Sequence, residues 1–241
     1  MILKKEGNLK SACFGKLPAF ADFVRYNAGS QEALAFDQWV QQGINFARKK
    51  LNKEWDRIFI NAPSYHFVFS PEKAAHYVVG IIHPSADKSE RKFPFVVFTL
   101  VSKLKFNQII PALVPIIFQP FFEKAEELIQ QALAGMLYED MISRLDNIPV
   151  PDPSKFHAAE KEYRELLSQT TMESFLSQVW GRADDERKYV LMNNLLELLL
   201  PLQRSNPARF SLGLKFPLPS DQKVQALNAS FWVKLSQHLT G

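Results

Sequence analysis

Acid–base chemistry in this chain would fall to two carboxylates and one imidazole: Asp22 in "FGKLPAFADFVR", and His83 with Asp87 in "HPSADKSERKFP". A hydrolase could use such a trio only if the side chains converge within hydrogen-bond reach around a cleft. Gly15 followed by Lys16 invites a phosphate-loop reading. A phosphate cradle, however, needs several glycines ahead of the lysine and a Ser or Thr opening a helix. One glycine precedes Lys16, and Leu17-Pro18 stand where the helix would start, so Gly15 and Pro18 read as turn makers. His83 and Asp87 are four residues apart, but Pro84 disfavours a shared helical face, and His66 and His76 belong to no tight ligand cluster. The single cysteine, Cys13, excludes an intramolecular disulfide and a Cys-based zinc site, and its apolar surroundings suit a buried thiol. There is no Gly-x-Ser-x-Gly elbow. No metal or cofactor is expected.

The second stretch packs Ser85, Asp87, Lys88, Ser89, Glu90, Arg91 and Lys92 between two apolar runs. It reads either as a solvated hairpin connection or as a recognition loop, in which Asp87 and Arg91 order the backbone and Lys88 faces a partner.

The elements that must position these residues follow from periodicity. "SACFGKL", "YHFVFS", "YVVGIIH" and "FPFVVFTLVS" read as strands. The last two leave no room for a helical crossover between them and are expected to be antiparallel neighbours. A helix is expected from an N-cap at Ser30, with Leu34, Trp39, Val40 and Ala47 inward, Glu32 in its first turn and Arg48, Lys49 and Lys50 in its last. Another begins at Pro120, with Phe121, Ala125, Leu128, Ile129, Ala132, Leu133, Met136 and Leu137 as its stripe. "DNIPVPDPSKF" breaks the pattern and marks a boundary near residue 146. Beyond it the chain reads mainly helical, with caps at Ser154, at Thr170 (paired with Glu173) and at Ser220 or Asp221. "DERKYVLMNNLLELLLPLQ" is a helix stopped by Pro201, and "RFSLGLKF" an edge strand. The last helix should bury Val224, Leu227, Phe231, Leu235 and Leu239. These elements predict an α/β fold: a three-layer α/β/α sandwich with a mixed, largely antiparallel central sheet and extra C-terminal helices. The predicted division is 1–145 for the α/β domain and 146–241 for the helical region, packed on the same core.

Composition narrows the function. The 241 residues are 46% hydrophobic and 12% aromatic, with twenty Phe, enough for a sizeable core. The formal charge of +4 is scattered along the chain rather than gathered into a basic stripe, which argues against a nucleic-acid face. "MILKKEGNLK" lacks the apolar core of a signal peptide, and no run approaches the ~18 apolar residues of a membrane span. A soluble, cytoplasmic protein without membrane insertion is expected.

Taken together, the two stretches resemble the TagF (ImpM) family of type VI secretion-associated proteins. The family carries a segment like "YGKLPARGDFVRR", matched here by Gly15, Lys16, Leu17, Pro18, Asp22, Phe23 and Val24. It carries a second like "GVLMPSVDRVGRxFPL", matched by Gly80, Pro84, Ser85, Asp87, Arg91, Phe93 and Pro94. Phe20, Ala21, Lys88 and Glu90 depart from the pattern, Ala21 and Glu90 standing in place of glycines. The resemblance covers roughly the first 100 to 140 residues. It implies a three-layer α/β sandwich and a non-enzymatic cytoplasmic regulator, generally a post-translational repressor, that binds a forkhead-associated-domain component of the secretion system. Gly15, Lys16, Pro18, Asp22, Phe23, Ser85, Asp87, Lys88 and Arg91 are then expected to order the loops or to meet the partner. A structural adaptor of the apparatus is the alternative, and a hydrolase using Asp22, Asp87 and His83 the rival class.

Overall fold

The computed structural model describes residues 10–71, 74–106, 111–151, 156–181, 186–199, 216–219 and 221–240. In chain order these form β1 (Ala12–Gly15), β2 (Val24–Tyr26), α1 (Gln31–Leu51) and α2 (Trp55–Ile60). Then come β3 (Tyr65–Phe69), β4 (His76–His83), β5 (Phe95–Ser102), α3 (Lys103–Phe106) and α4 (Val114–Ile117). The remaining helices are α5 (Gln119–Leu133), α6 (Tyr138–Asp146), α7 (Phe156–Gln169), α8 (Met172–Trp180), α9 (Arg187–Leu199) and α10 (Gln222–Thr240). They fall into two compact units, 1–108 with 120–151, and 109–119 with 152–241.

The first unit is built on a five-stranded sheet in the order β2-β1-β5-β4-β3. All its pairings among the described residues are antiparallel, where the sequence predicts a mixed, largely antiparallel sheet. The strands are joined either by hairpins or by returns that reverse the chain, so no parallel pair arises among them. β4 and β5 pair along their whole length, from His76↔Ser102 to His83↔Phe95, as the short link between them predicts. Neighbouring residues of β3 meet different helices. Phe67 stacks on Phe36 of α1 with ring centroids 4.2 Å apart, and His66 stacks on Phe122 of α5 at 4.1 Å. A pleated strand turns successive side chains to opposite faces, so α1 and α5 meet β3 on opposite faces.

Helix α1 starts where the sequence places it. Ser30 Oγ accepts the Ala33 amide at 3.1 Å, satisfying one of the unpaired first-turn donors. Its buried stripe is different from the predicted one. Ala33, Phe36 and Val40 are buried with Ile44 packed against them, whereas Leu34 and Trp39 are more than half exposed. Phe36 decides the phase: its ring contacts those of Phe14, Phe67 and Phe69, and burying one such side chain contributes about 1.5–3 kcal/mol. The α5 stripe holds for Phe121, Ala125, Leu128, Ile129 and Ala132, with Phe122 added. It ends at Leu133, so Leu137 lies outside it and is largely exposed.

The second unit is helical among its described residues. Trp232 is its largest fully buried side chain among the described residues, stacked on Phe216 at 5.1 Å and donating its indole N–H to Pro217 O at 2.8 Å. Thr171 caps α8 by accepting the Ser174 amide, one residue later than the predicted cap at Thr170. Val224, Leu227, Phe231 and Leu235 are only partly buried on α10, while Asn228 and Trp232 are buried. The predicted cap Ser154, the stop at Pro201, residues 209–215 of the predicted edge strand, the alternative cap Ser220 and the Leu239 side chain lie outside the described residues.

Candidate functional site

The sheet topology brings the two sequence motifs together. The first motif is the β1–β2 connection, since Gly15 pairs with Val24 across that hairpin. The second is the β4–β5 connection, since His83 pairs with Phe95. β1 and β5 are antiparallel neighbours, so the end of one lies beside the start of the other. Both loops therefore leave the same end of the sheet. Gly15 marks the crossing: it has φ +134°, and a Cβ there would come within 2.1 Å of Pro94 O and 2.7 Å of Phe95 Cα. Only glycine fits so close a backbone approach.

In the second loop Ala86 and Lys92 form an antiparallel bridge around a tight turn. Asp87 organises that turn. Its Oδ1 accepts the amides of Ser89 and Arg91, each at 2.9 Å, and its carbonyl accepts the Glu90 amide at 2.9 Å. Its Oδ2 accepts Lys16 Nζ at 2.8 Å and Arg91 Nε at 2.7 Å. Residue 87 is 3% exposed. Burial, the largest influence on this carboxyl, acts to raise its pKa. Lys16, the amides of Arg91 and Ser89, and the Arg91 guanidinium together outweigh it and hold the group well below the usual carboxylate range. Glu90 sits at φ +61°, in the left-handed region that glycine occupies without strain. This accounts physically for a glycine in the corresponding motif position.

Three links fasten one loop to the other: the Lys16–Asp87 ion pair, Lys88 N donating to Phe20 O at 2.9 Å, and Arg91 Nη2 donating to Ala21 O at 2.6 Å. In the first loop the Phe20 amide donates to Leu17 O at 3.0 Å, a turn with Pro18 second, where its fixed φ suits it. Phe23 stacks on Phe14 at 6.3 Å and meets Phe93 edge-on at 5.2 Å, with the Arg25 guanidinium 5.5 Å above its ring. The arrangement orders two loops into one surface and neutralises its buried anion internally.

The other expected site residues divide sharply. Asp22 is exposed and makes no hydrogen bond or ion pair among the described residues, so it does not order its turn. Lys88 is exposed, and its side chain is likewise unpaired among them. Ser85 is buried and its carbonyl accepts the Phe93 amide at 3.0 Å, while its hydroxyl has no partner among the described residues. His83 Nδ1 lies 2.7 Å from Ser64 Oγ, across the β3–β4 pair, and burial pushes its pKa down against the raising influence of Glu126. Asp22, His83 and Asp87 share no hydrogen bond. Burial pushes the Cys13 thiol up to about 12, against a backbone hydrogen bond from Tyr26. No group of three or more His, Cys, Asp or Glu able to hold a metal ion occurs among the described residues. No helix among them is long and apolar enough to cross a membrane.

An open cleft of about 620 Å³ adjoins the loops, lined by Lys16, Phe23 and Arg91 together with Ile44 and Arg48 of α1. From the sequence, Arg48 is only one of the basic residues that suit the end of the α1 dipole. It also donates to Lys92 O at 3.1 Å and lies 5.6 Å from the Trp55 ring centroid. Its place in the last turn of α1 was legible from the sequence, but the loop it reaches was not.

Residues 12–148, which contain both loops, match the family model of the TagF N-terminal domain, described as type VI secretion system-associated. The crystal structure of PA0076 from Pseudomonas aeruginosa PAO1 is similar in fold, with a TM-score of 0.52 and 24% identity. That similarity covers 59% of this chain and 64% of the other, so the chain spans under two thirds of that protein. No curated protein matches the chain.

Proposed function

The chain belongs to the TagF N-terminal domain family of type VI secretion system-associated proteins, and from that premise we propose that it is a non-enzymatic, cytoplasmic binding protein that represses the secretion system after translation. Its partner is a forkhead-associated-domain component, met by the joined loops. The observation that carries this reading is the disposition of charge. Asp87 spends both carboxylate oxygens on holding the loops, whereas Asp22 and Lys88 stand outside with unpaired side chains among the described residues. A catalytic carboxylate must keep an oxygen free for substrate, while a docking surface needs rigid loops and outward charges. The hydrolase reading therefore gains no support from Asp87.

The interface test uses Lys88→Glu and Asp22→Lys, because Arg91 holds Asp87 and Ala21 and its reversal would disturb the loops themselves. Titration calorimetry with the purified forkhead-associated component should show binding weakened about tenfold or more, with thermal unfolding unchanged. Unchanged affinity in both variants overturns the loop interface. Deleting the gene separates the two roles: secretion rises if the protein represses, and stops if it is a structural adaptor.

A further inference from the structure

Helix α1 has three sides. Ala33, Phe36 and Val40 pack into the core, and Gln41, Ile44, Asn45 and Arg48 line the cleft beside the joined loops. By helical periodicity a third side carries Trp39, Gly43, Phe46 and Lys50, at spacings of four, three and four. Trp39 is 58% and Phe46 67% exposed. The Trp39 ring is nevertheless held in place, stacked on Phe36 at 5.8 Å and tilted against Phe69 at 5.8 Å. Gly43 lies one turn from each aromatic. It is exposed, its φ is not positive, and a Cβ there would meet nothing within 4 Å. Nothing among the described residues therefore requires a glycine, although glycine inside a helix is destabilising relative to alanine. Its effect is to open a hole between Trp39 and Phe46, of the kind that receives a side chain from a second helix.

Charge indicates which kind of helix. Lys49 and Lys50 follow Phe46 by three and four residues, both exposed and without an ion pair among the described residues. The two acids of α1, Glu32 and Asp37, are buried and tied to His76 and Arg25, so no carboxylate of this helix offsets the lysines. We propose that this side of α1 docks an amphipathic helix of another protein, whose apolar ridge enters the hole at Gly43 and whose acidic residues meet Lys49 and Lys50. Trp39, already fixed by its neighbours, is the aromatic anchor of the contact. An anionic membrane also accepts aromatics beside lysines, but a fluid lipid surface has no use for a hole between them. The inference is independent of the joined loops and of their proposed partner.

Fluorescence anisotropy with two labelled synthetic helices tests it. Both carry the same stripe of leucine and alanine at helical spacing; one is flanked by glutamates and the other by lysines. The full chain should bind the glutamate helix about tenfold more tightly or better. Gly43→Leu should weaken that binding about tenfold or more while raising the melting temperature, because it fills the hole and improves helix propensity. Lys49→Glu combined with Lys50→Glu should reverse the preference between the two helices. Equal binding of both helices overturns the proposal, as does binding of neither. So does a Gly43→Leu variant that binds like the native chain. Tighter association with phosphatidylglycerol vesicles than with the glutamate helix overturns it in favour of a membrane.

Discussion

Two hairpin loops leave the same end of the sheet, each carrying an aspartate, and they are held by opposite means. The β4–β5 loop is organised from within, because one buried carboxylate, Asp87, gathers two of its own amides, one of its own guanidinium groups and Lys16. The β1–β2 loop is held largely from outside. Its carbonyls at Phe20 and Ala21 accept from Lys88 and Arg91, while its own aspartate, Asp22, is exposed. The difference teaches that motif position does not fix an acid's role. An acid enclosed by donors works as a clasp, and one left in solvent remains available to a partner.

Substitutions can break this contrast. Asp87→Ala should give the largest loss of stability, because it strands Lys16 and two loop amides and unfastens the first loop as well. Urea unfolding would measure it. The pH dependence follows from the depressed carboxyl of Asp87. The stability it contributes is present above the ordinary Asp value of about 4 and fades as pH falls from there toward the folded value. Asp87→Asn should therefore flatten the acid limb of a stability–pH curve.

At the crossing between the loops, Gly15→Ala should cost about 3 kcal/mol, since the new Cβ meets Pro94 O in a conformation that alanine resists. Glu90→Gly tests the second loop in the other direction. Relief of the positive φ should raise stability by about 1 kcal/mol, and a decrease would show that the Glu90 side chain matters more than the backbone. Asp22→Ala should be the smallest change, within about 0.5 kcal/mol in the same unfolding assay. A clear loss there would show that the first aspartate orders its loop after all.

Much of the scaffold was legible in advance. Ser30 and the charges of α1 set its ends locally, and the short link between β4 and β5 predicts their antiparallel pairing. The phase of α1 was less accessible, because Leu34 and Trp39 compete with Phe36 for the inward side, and the rings of Phe14 and Phe67 decide for Phe36. The cap at Thr171 was misplaced by one residue because two adjacent threonines offer the same chemistry. At the site, loop ordering by Asp87 and Arg91 was among the sequence alternatives, and so was the same role for Lys16 and Asp22. The carbonyl acceptors at Phe20 and Ala21 had no signal at all, since any residue type carries a carbonyl.

By itself the sequence determined four of the five described strands, the main helix starts, the turn-forming Gly15 and Pro18, and a two-part motif characteristic of a family. These are local properties, set by periodicity, backbone freedom and spacing along the chain. Only the tertiary structure decided that β1 lies beside β5, across a separation of 71 residues between Lys16 and Asp87. That pairing chose which aspartate is enclosed and which stays in water, because burial and donor convergence depend on neighbours distant in the chain.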